Sequence, residues 1–201
     1  MEWTIKATAP KPKTPRRGLR KSPTTKPLLF GGCMTPFAFC GMGGGLLCFS
    51  RWDVQQVFMD AMRLAGFKVK SVLVWDRMHH GMGDLKGSFA PRYDTCIFAV
   101  KGRYILPNGR PDDVIQCQRL NGAELVHPNE KPVGLLRQLI EATTVPGQII
   151  LEPFAGSGST LVAAALTGRQ YIGVELDAEY HTTAQQRTLE AMKTYLLGGT
   201  L

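Results

Sequence analysis

Apolar positions along the chain fall into short runs and helix-period stretches that alternate. Gly45-Leu46-Leu47-Cys48-Phe49 is a compact apolar run entered through glycines, and it predicts a short buried strand. Asp53 stands where a helix cap would, and Val57, Phe58, Ala61, Met62 and Ala65 recur at helical spacing behind it. A helix over 54–65 is expected, ended by Gly66. From 67 to 75 the period drops to two. Phe67, Val69, Ser71, Leu73 and Trp75 face one way, and Lys68, Lys70, Val72 and Val74 the other, as in a strand. Thr95 to Val100 predicts another strand, and Lys101-Gly102 turns it. The segment 76–94 between these two strands is a long loop, and long loops in compact domains tend to be functional. Residues 103–126 carry the weakest pattern: a turn at Pro107-Asn108-Gly109-Arg110-Pro111, then a short strand within 112–119.

The C-terminal half is more regular. An amphipathic helix is expected from Val133 to Thr143, followed by a Pro146-Gly147 turn. Ile149-Ile150-Leu151-Glu152 then runs into Pro153-Phe154-Ala155-Gly156-Ser157-Gly158-Ser159-Thr160, and Leu161 to Leu166 is helix-favouring. Gly168 stops that helix, and Tyr171-Ile172-Gly173-Val174-Glu175 returns as a second buried strand. Asp177 can cap a further helix through Arg187 or border a bound adenine. A strand, glycine turn, helix and strand closed by an acid suits a nucleoside: the glycines admit it to the backbone, and Glu175 is placed to hold ribose hydroxyls. Two phosphate-binding alternatives fit less well. Position 161 is Leu where a dinucleotide turn has its third glycine, which argues against a nucleotide-dependent oxidoreductase. No lysine precedes Ser159 or Thr160 as in a triphosphate loop. Glu152 would also repel a phosphate, so a cationic or zwitterionic ligand with an adenosine end is expected.

The turn has a companion motif. His127-Pro128-Asn129-Glu130-Lys131-Pro132 precedes the 133–143 helix. Together with Leu151-Glu152-Pro153-Phe154-Ala155-Gly156-Ser157-Gly158-Ser159-Thr160 and Gly173-Val174-Glu175, it resembles the DNA amino-methyltransferases of the circularly permuted class. These methylate adenine N6 or cytosine N4. The resemblance runs from about Gly43 to Arg187. It includes Gly44-Gly45-Leu46-Leu47-Cys48-Phe49, Trp75-Asp76-Arg77, Gly81-Met82-Gly83, Ala90-Pro91-Arg92-Tyr93 and Phe98-Ala99-Val100-Lys101-Gly102. It implies an α/β fold with a Rossmann-like methyltransferase sheet, mostly parallel with an antiparallel edge, and S-adenosylmethionine as cofactor. It implies that Phe154, Gly156, Ser157 and Gly158 surround the methionine end and that Glu152 contacts its amino group. His127, Pro128 and Lys131 then lie where the 133–143 helix meets the cofactor, although Lys131 could serve only to orient the chain. Double-stranded DNA is the implied partner, and 76–94 lies on the DNA side, with Arg77, Lys86, Arg92 and Tyr93 as contacts. The implied setting is the cytoplasm of a bacterial or phage-infected cell.

One family element is absent. The catalytic tetrapeptide [Asp/Asn/Ser]-Pro-Pro-[Tyr/Phe/Trp] occurs nowhere in the chain, and Thr35-Pro36-Phe37 is its nearest echo. An N-terminal part that is incomplete, with weak or no methyl transfer, is therefore expected; the alternative is an inactive remnant that still binds cofactor or DNA. Charge is uneven in the same region. Of the net +8, residues 1–30 hold Lys6, Lys11, Lys13, Arg16, Arg17, Arg20, Lys21 and Lys26 against Glu2 alone. Prolines 10, 12, 15, 23 and 27 lie there too. Residues 1–42 are thus expected to be a disordered arm, either a phosphate-binding tether or an unselected N-terminus, with the methyltransferase domain over 43–201. No segment reaches the ~20 apolar residues of a membrane span. The five cysteines contain no C-x-x-C pair, which suggests free thiols in a reducing compartment, and no metal is expected.

Overall fold

The computed structural model describes residues 3–7, 28–30, 43–82, 84–122, 125–127 and 129–198. In chain order its elements are β1 (Trp3–Ala7), β2 (Leu28–Phe30), β3 (Gly45–Ser50), α1 (Gln55–Leu64), β4 (Lys68–Asp76), β5 (Tyr93–Val100) and β6 (Val114–Gln116). Then come α2 (Val133–Thr143), β7 (Ile149–Glu152), α3 (Ser159–Leu166), β8 (Gln170–Glu175) and α4 (Ala178–Leu196). The strands make one 8-stranded sheet in the order β1-β8-β7-β2-β3-β5-β4-β6. β8, β7, β2, β3, β4 and β6 run one way; β1 at the edge and β5 inside the sheet run against them.

Helices cover both faces, which explains the unbroken apolar runs. On β3, Leu46 and Cys48 point to the α1 face with Met62 and Phe67, while Leu47 joins Leu135, Leu139, Ile150 and Leu161 beneath α2, α3 and α4. A strand buried on both sides has no polar side to alternate with. In α2, Leu135 with Leu139 and Leu136 with Ile140 sit one turn apart and are buried, each contributing roughly 1.5–3 kcal/mol of apolar burial.

The predicted strands and helices are present, with four local differences. Asp53 does not cap α1: its carboxylate is held by the Arg51 guanidinium, and Val54 occupies the cap without a side-chain bond. Val57, expected in the buried stripe, is 56% exposed, because α1 leans on the sheet through Phe58, Ala61 and Met62. In β4 the alternation breaks at a bulge between Val69 and Ser71. Phe67, Val69 and Val72 therefore face α1, whereas Leu73 and Trp75 face the other core. Finally, two segments of the expected arm are strands. β1 pairs antiparallel with β8, from Trp3 opposite Glu175 to Ala7 opposite Tyr171, and β2 lies parallel between β7 and β3. Trp3-Thr4-Ile5 and Leu28-Leu29-Phe30 have strand composition that an average over thirty basic, proline-rich residues conceals. Thr35-Pro36-Phe37 lies outside the described residues.

Candidate active site

The chain leaves β7 toward β8 on the α3 face and leaves β3 toward β4 on the α1 face, so the winding reverses between β7 and β2. The crevice beyond the carboxyl ends of strands at such a reversal is where open α/β sheets bind ligands. A cavity of about 560 Å³ lies there, bordered by Phe49, His127, Lys131, Glu152, Phe154 and Gly156.

Its floor is the glycine turn. Gly156 has φ +50° and Gly158 φ +84°, both left-handed, and Gly158 starts α3 by accepting from Val162 N at 2.9 Å. Ala155 N donates to Val174 O at 2.9 Å, tying the turn to β8. Glu175 at the end of β8 fastens it again: one oxygen accepts from Gly156 N at 2.6 Å, and the other from Leu176 N at 2.9 Å and Asp177 N at 3.0 Å. Asp177 caps α4, accepting from Glu179 N and Tyr180 N. Ser157 is buried and gives its carbonyl to Arg187 Nη1 at 2.9 Å. Phe154 stays half exposed at the mouth.

Glu152 is buried and pairs with no cation among the described residues. It accepts from Phe154 N at 3.2 Å and Thr160 Oγ1 at 3.0 Å. Burial pushes its pKa up to about 7, with Glu175 adding to the rise and the two donors opposing it. A carboxyl held this way is primed for a cationic group entering the cavity.

The His127 to Lys131 segment forms the opposite wall. His127 packs on Gly156, where an added Cβ would meet its ring at 3.5 Å, and edges onto Tyr180 with centroids 4.6 Å apart. Asn129 N donates to His127 Nδ1 at 3.1 Å. Glu130, unremarked in the sequence, organises this wall. Its side chain is 2% exposed and accepts from Ser159 Oγ (3.0 Å), Arg187 Nη2 (2.7 Å), Val126 N (3.0 Å) and His127 N (3.3 Å). Burial pushes its carboxyl up, but Arg187 and the other donors outweigh that and hold it below the usual range. Pro128 lies outside the described residues.

Lys131 reaches away from the glycine turn. Its Nζ stands 5.4 Å from the Phe49 ring centroid and 5.5 Å from that of Trp75, and burial lowers its pKa. Behind it opens a second cavity of about 500 Å³, bordered by Arg51, Trp75, Arg77, Asp94 and Arg119. Phe49, Asn129, Glu130 and Lys131 border both cavities. Phe49 and Trp75 meet edge to face at 6.3 Å, and the buried indole donates to Cys117 O at 2.7 Å.

The four residues of the 76–94 segment separate by their partners. Lys86 and Tyr93 are exposed. Arg77 donates to Pro91 O at 2.8 Å and Arg92 O at 3.2 Å, and Arg92 grips Asp76 with both nitrogens at 2.7 and 2.8 Å. Their guanidiniums brace the loop. His79 and His80 stack on one another with centroids 5.4 Å apart. Among the described residues no helix is long and apolar enough to cross a membrane.

Comparison with known proteins decides the family. The model of the DNA methylase family N6_N4_Mtase matches residues 39–186. The chain belongs to the N6/N4 DNA methylases. It is 40% identical over 142 residues to the "Putative methylase YubD" of Escherichia coli (strain K12), a match covering 71% of this chain and 60% of that protein. It is 48% identical over 65 residues to the type II methyltransferase M2.DpnII of Streptococcus pneumoniae, across 32% of this chain and 24% of that one. Two solved structures share the fold. M1.HpyAVI in complex with SAM has a TM-score of 0.71 at 22% identity, covering 81% of this chain and 88% of that one. The cytosine-N4-specific PvuII DNA methyltransferase has a TM-score of 0.62 at 16% identity, covering 79% and 72%. Within this member of the N6/N4 methylase family, His127, Lys131, Glu152, Phe154, Gly156 and Ser157 border the first cavity, while Gly158 at the start of α3 and Glu175 at the end of β8 stand outside its lining. The sequence points to no role for Glu130 or Arg187, whose partners lie far along the chain, and Phe49 and Trp75 fall within segments that resemble the family without a role of their own.

Proposed function

We propose that this chain binds S-adenosylmethionine in the cavity beside the glycine turn, receives an extruded adenine or cytosine of duplex DNA in the neighbouring cavity, and transfers methyl slowly or not at all. The observation that carries this reading is the shared wall: among the described residues, Phe49, Asn129, Glu130 and Lys131 border both cavities. The donor set suits the cofactor. Glu152 offers a buried carboxyl without a cation, fitting an ammonium or sulfonium and opposing a phosphate. Glu175 retains unused lone pairs at the end of β8, where a ribose would lie. When bound, the cofactor supplies an electrophilic methyl group. The aromatic walls Phe49 and Trp75 hold a base by stacking, and Arg51, Arg77 and Arg119 draw its phosphates to the rim. A proline-fixed acceptor for the amino group is missing from the sequence. Losing such a positioned partner lowers rates about 10²-fold or more.

Calorimetry with S-adenosylmethionine, paired with tritium transfer to mixed-sequence duplex DNA, tests the proposal. Cofactor binding is expected, with turnover at least about 10²-fold below that of a methylase carrying the tetrapeptide. Absence of cofactor binding sinks the site, and turnover comparable to such an enzyme sinks the catalytic part.

A further inference from the structure

Between β4 and β5 the chain projects an arm whose surface is unlike that of a solvated loop. Met82 is 90% exposed, Leu85 84% and Phe89 100%, and Met78 beside them is 54% exposed. The neck of the arm is stapled. Arg77 N donates to Arg92 O at 3.1 Å, Gly81 N to Pro91 O at 2.8 Å, and the Asp76–Arg92 pair closes it from outside. The tip is shaped by Asp84, the arm's one acid, whose Oδ1 accepts from Lys86 N and Gly87 N at 3.0 Å each. With that carboxylate committed to its own turn, Lys86, His79 and His80 are the groups the arm offers to a partner.

Placement identifies the partner. Arg77 at the neck borders the second cavity, as do Trp75 and Asp94 on the strands that carry the arm. A braced projection with large apolar tips and a basic flank, beside a pocket with room for a nucleobase, fits the stack of a duplex. Apolar side chains enter opened base steps, and the opening is cheapest where a base is already missing or unpaired.

We propose that Phe89 enters the base stack of duplex DNA and fills the space left by the base taken into the second cavity, while Lys86 holds the adjacent phosphates. This rests on the DNA-acceptor reading above. The test is fluorescence anisotropy with the full chain and a mixed-sequence 30-bp duplex, either intact or with one central abasic site (about 30 bp spans a typical site). The wild type is expected to bind the abasic duplex about tenfold more tightly, since the opening is already made. Phe89→Ala should bring that ratio to about one, Phe89→Leu should retain most of it, and Lys86→Ala should weaken both duplexes alike. Phe89 is fully exposed, so unchanged melting and unchanged S-adenosylmethionine binding in the variant certify its fold. A wild-type ratio in Phe89→Ala overturns the arm's role alone. So does Phe89-dependent self-association in sedimentation, or Phe89-dependent binding to anionic vesicles in place of DNA. Failure of the wild type to bind either duplex while it still binds cofactor overturns the DNA reading itself.

Discussion

Glu152 keeps its proton up to about pH 7 in the folded chain, against an ordinary value of 4.5. Between those values the native state holds a proton that the unfolded chain has released. Stability therefore falls as pH rises across this window, by something on the order of 3 kcal/mol in all. Urea melts of the cofactor-free protein at about pH 5 and about pH 8 should show the loss, and Glu152→Gln should flatten it. A slope unchanged in the variant would assign the dependence to other groups. A bound cation reverses the preference, so cofactor binding near pH 6 should release about one proton, seen as buffer-dependent heat, and Glu152→Gln should abolish the release. This acid was legible because it ends an apolar run just before a glycine turn. Glu130 was not: its partners Ser159 and Arg187 lie 29 and 57 residues away, and only the fold brings them to it.

Among the elements, α3 is constrained most. Residues Ser159 to Ala165 are all buried between the sheet, α2 and α4, which is why this helix is built from Ser, Thr and Ala with few large side chains. It meets the backbone of α4 at Gly158, where an added Cβ would come within 2.7 Å of Ala184 Cβ and 2.8 Å of its Cα. With φ at +84° as well, Gly158→Ala combines backbone strain with overpacking and should cost about 2–4 kcal/mol. At Gly173 the nearest atom is a Leu161 methyl, at 2.5 Å, and the backbone angle is ordinary, so that side chain can move aside. Gly173→Ala should therefore lower the melting temperature less than Gly158→Ala; the reverse order would show that α4 yields more readily than Leu161. Helical periodicity located α2 to the residue, because its apolar stripe is complete and a proline precedes it. It misjudged the start of α1 and the facing of β4. There a neighbouring arginine and a single bulged residue, both invisible to an averaged pattern, decide the outcome.

At the scale of the molecule, the sheet order sets where the chemistry lies. Winding outward in both directions from β7 and β2 brings Glu152, the glycine turn and Phe49 to one rim, and the arm between β4 and β5 rises farther along the same rim. The C-terminal half of this arrangement could be read from motifs, since its strand, turn and helix adjoin in sequence. The N-terminal contribution could not, because composition is a regional average and β1 and β2 are short islands in a basic, proline-rich stretch. β1 covers the open edge of β8 and places Trp3 opposite Glu175, the acid that fastens the glycine turn. Deleting residues 1–8 removes this ladder and leaves β8 as an unprotected edge. At the net worth of a few backbone hydrogen bonds, the loss should be about 2–4 kcal/mol, and cofactor affinity should fall with it as the β8 end loosens. Thermal melts with and without S-adenosylmethionine check both effects. If melting and affinity are both unchanged, β1 contributes nothing to the site, and the positioning of Glu175 rests on its bonds to Gly156, Leu176 and Asp177 alone.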